Sequence, residues 1–196
     1  VGTLILIYFL AIFAFANFEA TLALLTRDLF QFQDRDNFLV FATVGAVLML
    51  AGGFYRPMVK KHPEAKLLKV GVALMILGLA GLGISAFFGT FPGVRSEKLS
   101  VPWLTPAFYI SMSLSVIGFA FVNPSVSALV SKRSDPARQG EVMGVNQSFA
   151  SLGRILGPFL GSVLFQANDS RTLPYAAAVL TLAIVLMLLP RVKAAA

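Results

Sequence analysis

Six stretches of this chain run for 18 to 28 residues with at most one charge in each: Leu4–Leu25, Phe38–Tyr55, Val70–Val94, Trp103–Val130, Val142–Phe165 and Thr172–Pro190. That pattern decides the fold class before any other feature. About 20 apolar residues in a helix cross the ~30 Å hydrocarbon core of a bilayer, whereas a barrel strand needs only about 9–11. Lipid offers no hydrogen bonds, so spanning segments must satisfy their own backbone, as helices or closed barrels do. Blocks this long exclude barrel strands. The chain is expected to be an all-α membrane protein with six transmembrane helices, approximately over 4–26, 38–56, 67–90, 103–130, 141–166 and 173–190, in a single bundle over residues 1–196. Composition agrees: 57% of residues are hydrophobic and only 13% charged, against roughly 25% charged in soluble domains.

The excess of 16 Lys/Arg over 9 Asp/Glu does not point to nucleic acid, because the basic residues fall between apolar blocks. Arg56, Lys60, Lys61, Lys66 and Lys69 lie in the second loop, and Lys132, Arg133 and Arg138 in the fourth. Arg191 and Lys193 lie in the tail. The odd loops carry only Arg27, Arg35, Arg95, Lys98 and Arg171. Since basic residues collect on the cytoplasmic side, both termini are expected in the cytoplasm and the protein in the inner (plasma) membrane. Pro92–Gly93 marks a loop at the end of the third block. The chain opens on Val1 with no basic segment before its first apolar block. A signal peptide is therefore unsupported, and residues are expected upstream.

With no cysteine and one histidine, His62, thiolate or His-rich metal sites and cysteine nucleophiles are excluded. No nucleophile–base pair and no phosphate-binding G-x4-G-K-[ST] loop is present. The expectation is a non-enzyme without cofactors, whose partners are lipid, protons and a small-molecule solute.

An ionisable group inside a span costs ~2.5–3.5 kcal/mol at the bilayer centre, so it is a functional candidate by default. Glu19 lies ~22 Å along helix 1 and Arg154 ~18 Å along helix 5, at 1.5 Å per residue. At matching depths they could pair, or both could face a wet cavity. A carboxylate whose surroundings alternate between apolar and cationic can take up and release a proton, the role expected of Glu19. The alternative for each is a structural contact between helices.

Neutral polar groups form a second tier. Tyr8, Phe15 and Glu19 share a face of helix 1, as do Tyr109, Phe119, Asn123 and Ser127 of helix 4 and Gln147, Ser151 and Arg154 of helix 5. Asn123–Pro124 is expected to break the helical ladder, since proline lacks the N–H. Gly140, Gly144 and Ser148, then Gly153, Gly157 and Gly161, recur every fourth residue on helix 5, with a kink expected at Gly157–Pro158. Helix 3 adds Gly71, Gly78, Gly81 and Gly83. Such ridges let backbones approach closely. They read either as static packing or as a surface on which two bundles rock.

The spacing Gly144-x8-Gly153-x3-Gly157-Pro158-x2-Gly161-Ser162 resembles the antiporter signature of the major facilitator superfamily, G-x8-G-x3-G-P-x2-G-G, and differs at the last position. Gly52-Gly53-Phe54-Tyr55-Arg56-Pro57-Met58-Val59-Lys60-Lys61 resembles that superfamily's basic loop between the second and third helices of each half, without the acidic residue that usually precedes the arginine. With Phe15-Ala16-Asn17-Phe18-Glu19-Ala20-Thr21-Leu22, the chain is most similar to the C-terminal half of drug:proton antiporters of the tetracycline-efflux type. An N-terminal half is the alternative. The resemblance implies one six-helix half-bundle of a twelve-helix fold. Helices 1 and 4 would line the cavity, helices 2 and 5 would meet the other half, and helices 3 and 6 would face lipid. It implies proton-coupled transport of small organic solutes by alternating access, in the class of drug-like efflux. The residues expected near substrate or proton are Glu19, Arg154, Asn123, Gln147 and Tyr109; the resemblance puts Glu19 and Asn123 on cavity helices and Arg154 on an interface helix, which favours a structural contact for Arg154. Arg56 would belong to a cytoplasmic gate, and Gly153, Gly157, Pro158 and Gly161 to the moving surface. The partner is the N-terminal half of the same protein or a second copy. A non-transporting membrane scaffold or assembly subunit is the alternative reading.

Overall fold

The computed structural model describes residues 1–90, 103–167 and 171–192. The Pro92–Gly93 loop, Arg95, Lys98 and Lys193 lie outside the described residues. Among those described, six α-helices run in the order α1 (Gly2–Phe30), α2 (Asp34–Val59), α3 (Glu64–Gly89), α4 (Leu104–Lys132), α5 (Gln139–Gln166) and α6 (Leu173–Leu188). Short 3₁₀ turns precede α5 (Pro136–Arg138) and follow α6 (Leu189–Arg191). The first five helices are long and apolar enough to cross a membrane, and α6 is a shorter apolar helix.

The helices reach past the apolar blocks because their polar ends are capped. At α2, the Gln33 side chain accepts the Asp36 N–H while Gln33 N donates to Asp36 Oδ2 at 3.0 Å, a reciprocal arrangement that satisfies two otherwise free donors. α1 stops at Gln31, whose backbone is left-handed (φ 56°) and whose N–H donates to the Arg27 carbonyl at 3.0 Å. Between α4 and α5, Asp135 Oδ1 accepts the Ala137 N–H at 2.9 Å, and Arg138 grips Glu141 through two hydrogen bonds at 2.7 and 2.9 Å. Within the spans, hydroxyls turn back onto their own helix: Thr21 Oγ1 donates to the Asn17 carbonyl at 3.0 Å, and Thr26 Oγ1 to that of Ala23.

The prolines do not end helices. α4 is continuous through Pro124, α2 through Pro57 and α5 through Pro158, which corrects the expected break at Asn123–Pro124. Each proline removes one ladder bond, but apolar surroundings offer no alternative partner for the rest, so the flanking turns stay helical.

Glycine seams set the packing. α3 lies against α4 so closely that a Cβ on Gly118 would stand 2.5 Å from the Gly71 carbonyl oxygen, and one on Gly78 would stand 2.5 Å from that of Ser111. α5 lies against α1 in the same way. A Cβ on Gly157 would come 2.7 Å from the Phe13 carbonyl oxygen, and one on Gly153 3.1 Å from that of Phe9. The Gly153–Gly157–Gly161 ridge is therefore a seam inside the bundle, not a free face for a second bundle. Gly140 and Gly144 have open space around them and belong to neither seam. α1 and α4 are the most enclosed spans, and α2 and α5 the least. On the latter two, Phe38, Met49, Phe54, Ile155 and Phe159 stand 65–73% exposed.

Candidate functional site

The α1–α4 contact carries most of the residues singled out on those two helices. Phe15 and Phe119 stack face to face, with centroids 3.9 Å apart and an interplanar angle of 7°. Two turns away the buried Tyr8 hydroxyl donates to Asn123 Oδ1 at 2.5 Å. The separation of seven residues on α1 and four on α4 brings both pairs to one seam. Asn123 is half-buried, and its acceptor oxygen is taken by Tyr8. Ser127 Oγ donates to the Asn123 carbonyl at 3.1 Å. Tyr109 is half-buried against Phe108, edge to face at 5.5 Å, about four turns from Asn123 on α4.

Glu19 follows Phe15 by one turn and is exposed, on the most enclosed helix of the bundle. Arg154 is also exposed, together with Gln147 and Ser151 on the same face of α5. Among the described residues neither Glu19 nor Arg154 forms an ion pair, so the two do not meet. Ala23, one turn past Glu19, borders a polar cavity where α1 gives way to α2.

At the opposite end of the bundle Arg56 is exposed in the last turn of α2. One residue before it, Tyr55 is buried and its hydroxyl lies 3.0 Å from that of Ser125, which ties α2 to α4. Lys132 at the end of α4 pairs with Glu64 at the start of α3. This ion pair joins the two basic loops and leaves Arg56, Lys60 and Lys61 exposed beside it.

Two carboxamides escaped notice in the sequence. Asn17 is fully buried, and its Nδ2 donates to the Pro174 carbonyl of α6 at 3.3 Å. Its Oδ1 has no hydrogen-bond partner and faces Gly161, where a Cβ would stand 2.7 Å from it. Beside it the Thr21 and Tyr175 hydroxyl oxygens lie 3.3 Å apart. Asn146, buried on the same stripe of α5 as Ala150 and Gly153, likewise has an unpartnered Oδ1. Uncharged amides inside apolar blocks are the signal for such helix–helix ties.

The fold and its seams define a membrane-embedded helical half-bundle whose two most enclosed helices meet through paired aromatic and polar side chains. The chain belongs to the Major Facilitator Superfamily, whose family model matches residues 4–196. It is 28% identical over 162 residues to "Major facilitator superfamily domain-containing protein 10" of Mus musculus, covering 82% of this chain and 31% of that one. It is 27% identical over 165 residues to "Multidrug resistance protein 2" of Bacillus subtilis (strain 168), covering 83% of this chain and 36% of that one. The crystal structure of the human organic anion transporter MFSD10 (TETRAN) superposes with a TM-score of 0.79 at 24% identity, over 95% of this chain and 40% of that one. That likeness shows the fold. The chain spans about a third of the length of the curated relatives it matches.

Proposed function

We propose that the chain is one half of a proton-coupled secondary transporter that moves small organic solutes across the membrane by alternating access. The observation that carries this reading is Glu19. It is the single charge of its apolar block, one turn from the Phe15–Phe119 stack, without an ion-pair partner among the described residues. An ionisable group at membrane depth is a functional candidate by default.

In this reading protonation of Glu19 and solute binding alternate. Drug-like amphipathic solutes suit the apolar character of α1 and α4 and the name of the Bacillus relative. Asn123, Gln147, Tyr109 and Arg154 supply polar contacts to solute or to the other half. Arg56 and its basic neighbours form the cytoplasmic gate, with both termini in the cytoplasm. The α1–α5 glycine seam moves as one body, with α5 carried along by α1. The other half is the N-terminal half of the same protein.

The test is an imposed pH gradient across proteoliposomes holding the complete protein, with an amphipathic dye as solute. Transport predicts gradient-dependent accumulation that a protonophore collapses. A scaffold or assembly subunit gives no flux above protein-free vesicles, and that result removes the proposal.

A further inference from the structure

At the end of the bundle away from the basic loops, the last turns of α1 and the first turn of α2 enclose a cavity of about 500 Å3. Its walls include Arg27 and Asp34, the carboxamides of Gln33 and Asn37, and the apolar side chains of Leu24 and Phe32. The charges near this cavity fall into two groups. Two carboxylates just outside it are satisfied. Asp28 accepts from Arg171 Nε at 2.9 Å, with both side chains about three-quarters shielded, and Asp36 closes the α2 capping box. The charges that line it are not. Arg27 and Asp34 form no ion pair with each other or with any other group among the described residues.

The carboxamides are poised as donors. The Asn37 carboxamide shares a hydrogen bond with the Thr26 hydroxyl, which leaves at least one Nδ2 hydrogen unused. The Gln33 side chain accepts the Asp36 N–H, which leaves its own Nε2 available. A guanidinium flanked by amide donors matches a carboxylate, which it can hold in a bidentate fork. The Asp34 carboxylate, which lines the same cavity, matches an ammonium. Leu24 and Phe32 supply the apolar wall usual in small-molecule sites, where a few polar groups fix orientation.

We propose that this cavity is a recognition site for a small amphipathic zwitterion, with its carboxylate on Arg27 and its ammonium on Asp34. The identity of the occupant as a transported solute rests on the transport reading above; binding at the site does not.

The proposal is tested by equilibrium binding to the purified complete protein. Radiolabelled L-phenylalanine serves as the zwitterion, N-acetylphenylalanine as the matched anion and phenylalaninamide as the matched cation. The expected result is saturable phenylalanine binding, with each single-charge analogue competing at least tenfold more weakly. Arg27→Gln should weaken phenylalanine at least tenfold and erase its advantage over phenylalaninamide. Asp34→Asn should erase its advantage over N-acetylphenylalanine. Binding is read at equal pH without any flux, so a failure of proton coupling leaves this result intact. Should Arg27→Gln not fold, Arg27→Lys, which keeps the charge and loses the fork, should still weaken binding severalfold. Equal competition by all three probes overturns the proposal, as does absence of saturable binding at millimolar concentration. Unchanged affinity in Asp34→Asn with lowered stability also overturns it, since Asp34 then serves only the N-terminus of α2.

Discussion

At the scale of single residues, glycine position rather than glycine number decides tolerance. Gly157 has the Phe13 carbonyl oxygen 2.7 Å from where a Cβ would stand, and the backbone nitrogen of Asn17 at 3.0 Å. Backbone cannot rotate away as a side chain can, so α1 and α5 must separate to admit any larger residue. Gly157→Val should cost about 1–3 kcal/mol, the range for overpacking a close-fitted core, read as a lowered thermal midpoint in detergent. Gly144→Ala meets nothing within 4 Å and should be neutral or stabilising by up to about 1 kcal/mol through helix propensity. The period-four spacing of these glycines is plain in the sequence. What it cannot convey is the neighbour: spacing fixes a face of a helix, and only the topology says whether that face meets α1 or another bundle. The same holds for polar groups. Glu19 and Arg154 are conspicuous by charge yet stand exposed, whereas the fully buried Asn17 is a neutral amide whose importance comes from α6 and Gly161.

At the scale of helices, the α1–α4 seam joins elements far apart in the chain through one aromatic stack and one hydrogen bond. A double-mutant cycle on Phe15→Leu and Phe119→Leu should show a coupling of about 0.5–1.5 kcal/mol, the usual surplus of an aromatic pair over its area. Additive losses would mean that the stack contributes no more than its bulk. Tyr8→Phe leaves the half-buried Asn123 Oδ1 without its donor and should lower stability by about 1–3 kcal/mol, again by thermal unfolding in detergent. That Tyr8, Phe15, Phe119 and Asn123 sit on facing stripes follows from helical periodicity. The helix ends are harder to read, because Asp34–Asn37 is polar by composition but helical through its capping box. Pro124 misleads for a related reason: proline disfavours helix in water, where the chain has other partners, and loses that effect inside a bundle that leaves none.

At the scale of the molecule, this chain is one six-helix half of the major-facilitator fold, and α2 and α5 present its least enclosed apolar faces. Six spans are legible because lipid imposes a length and a composition that few other environments demand. The distribution of basic residues predicts an orientation that can be checked directly, since the sequence contains no cysteine. Lys61→Cys should resist a membrane-impermeant thiol reagent in intact cells, and Gln31→Cys should react; the reverse would invert the topology. The role of Glu19 is the claim on which the transport account turns. The most direct measurement compares wild type and Glu19→Gln of the complete protein in proteoliposomes, with solute exchange at equal pH and pH-driven accumulation recorded on the same vesicles. The account predicts that Glu19→Gln retains exchange and loses accumulation. Undiminished pH-driven accumulation in that variant would contradict it.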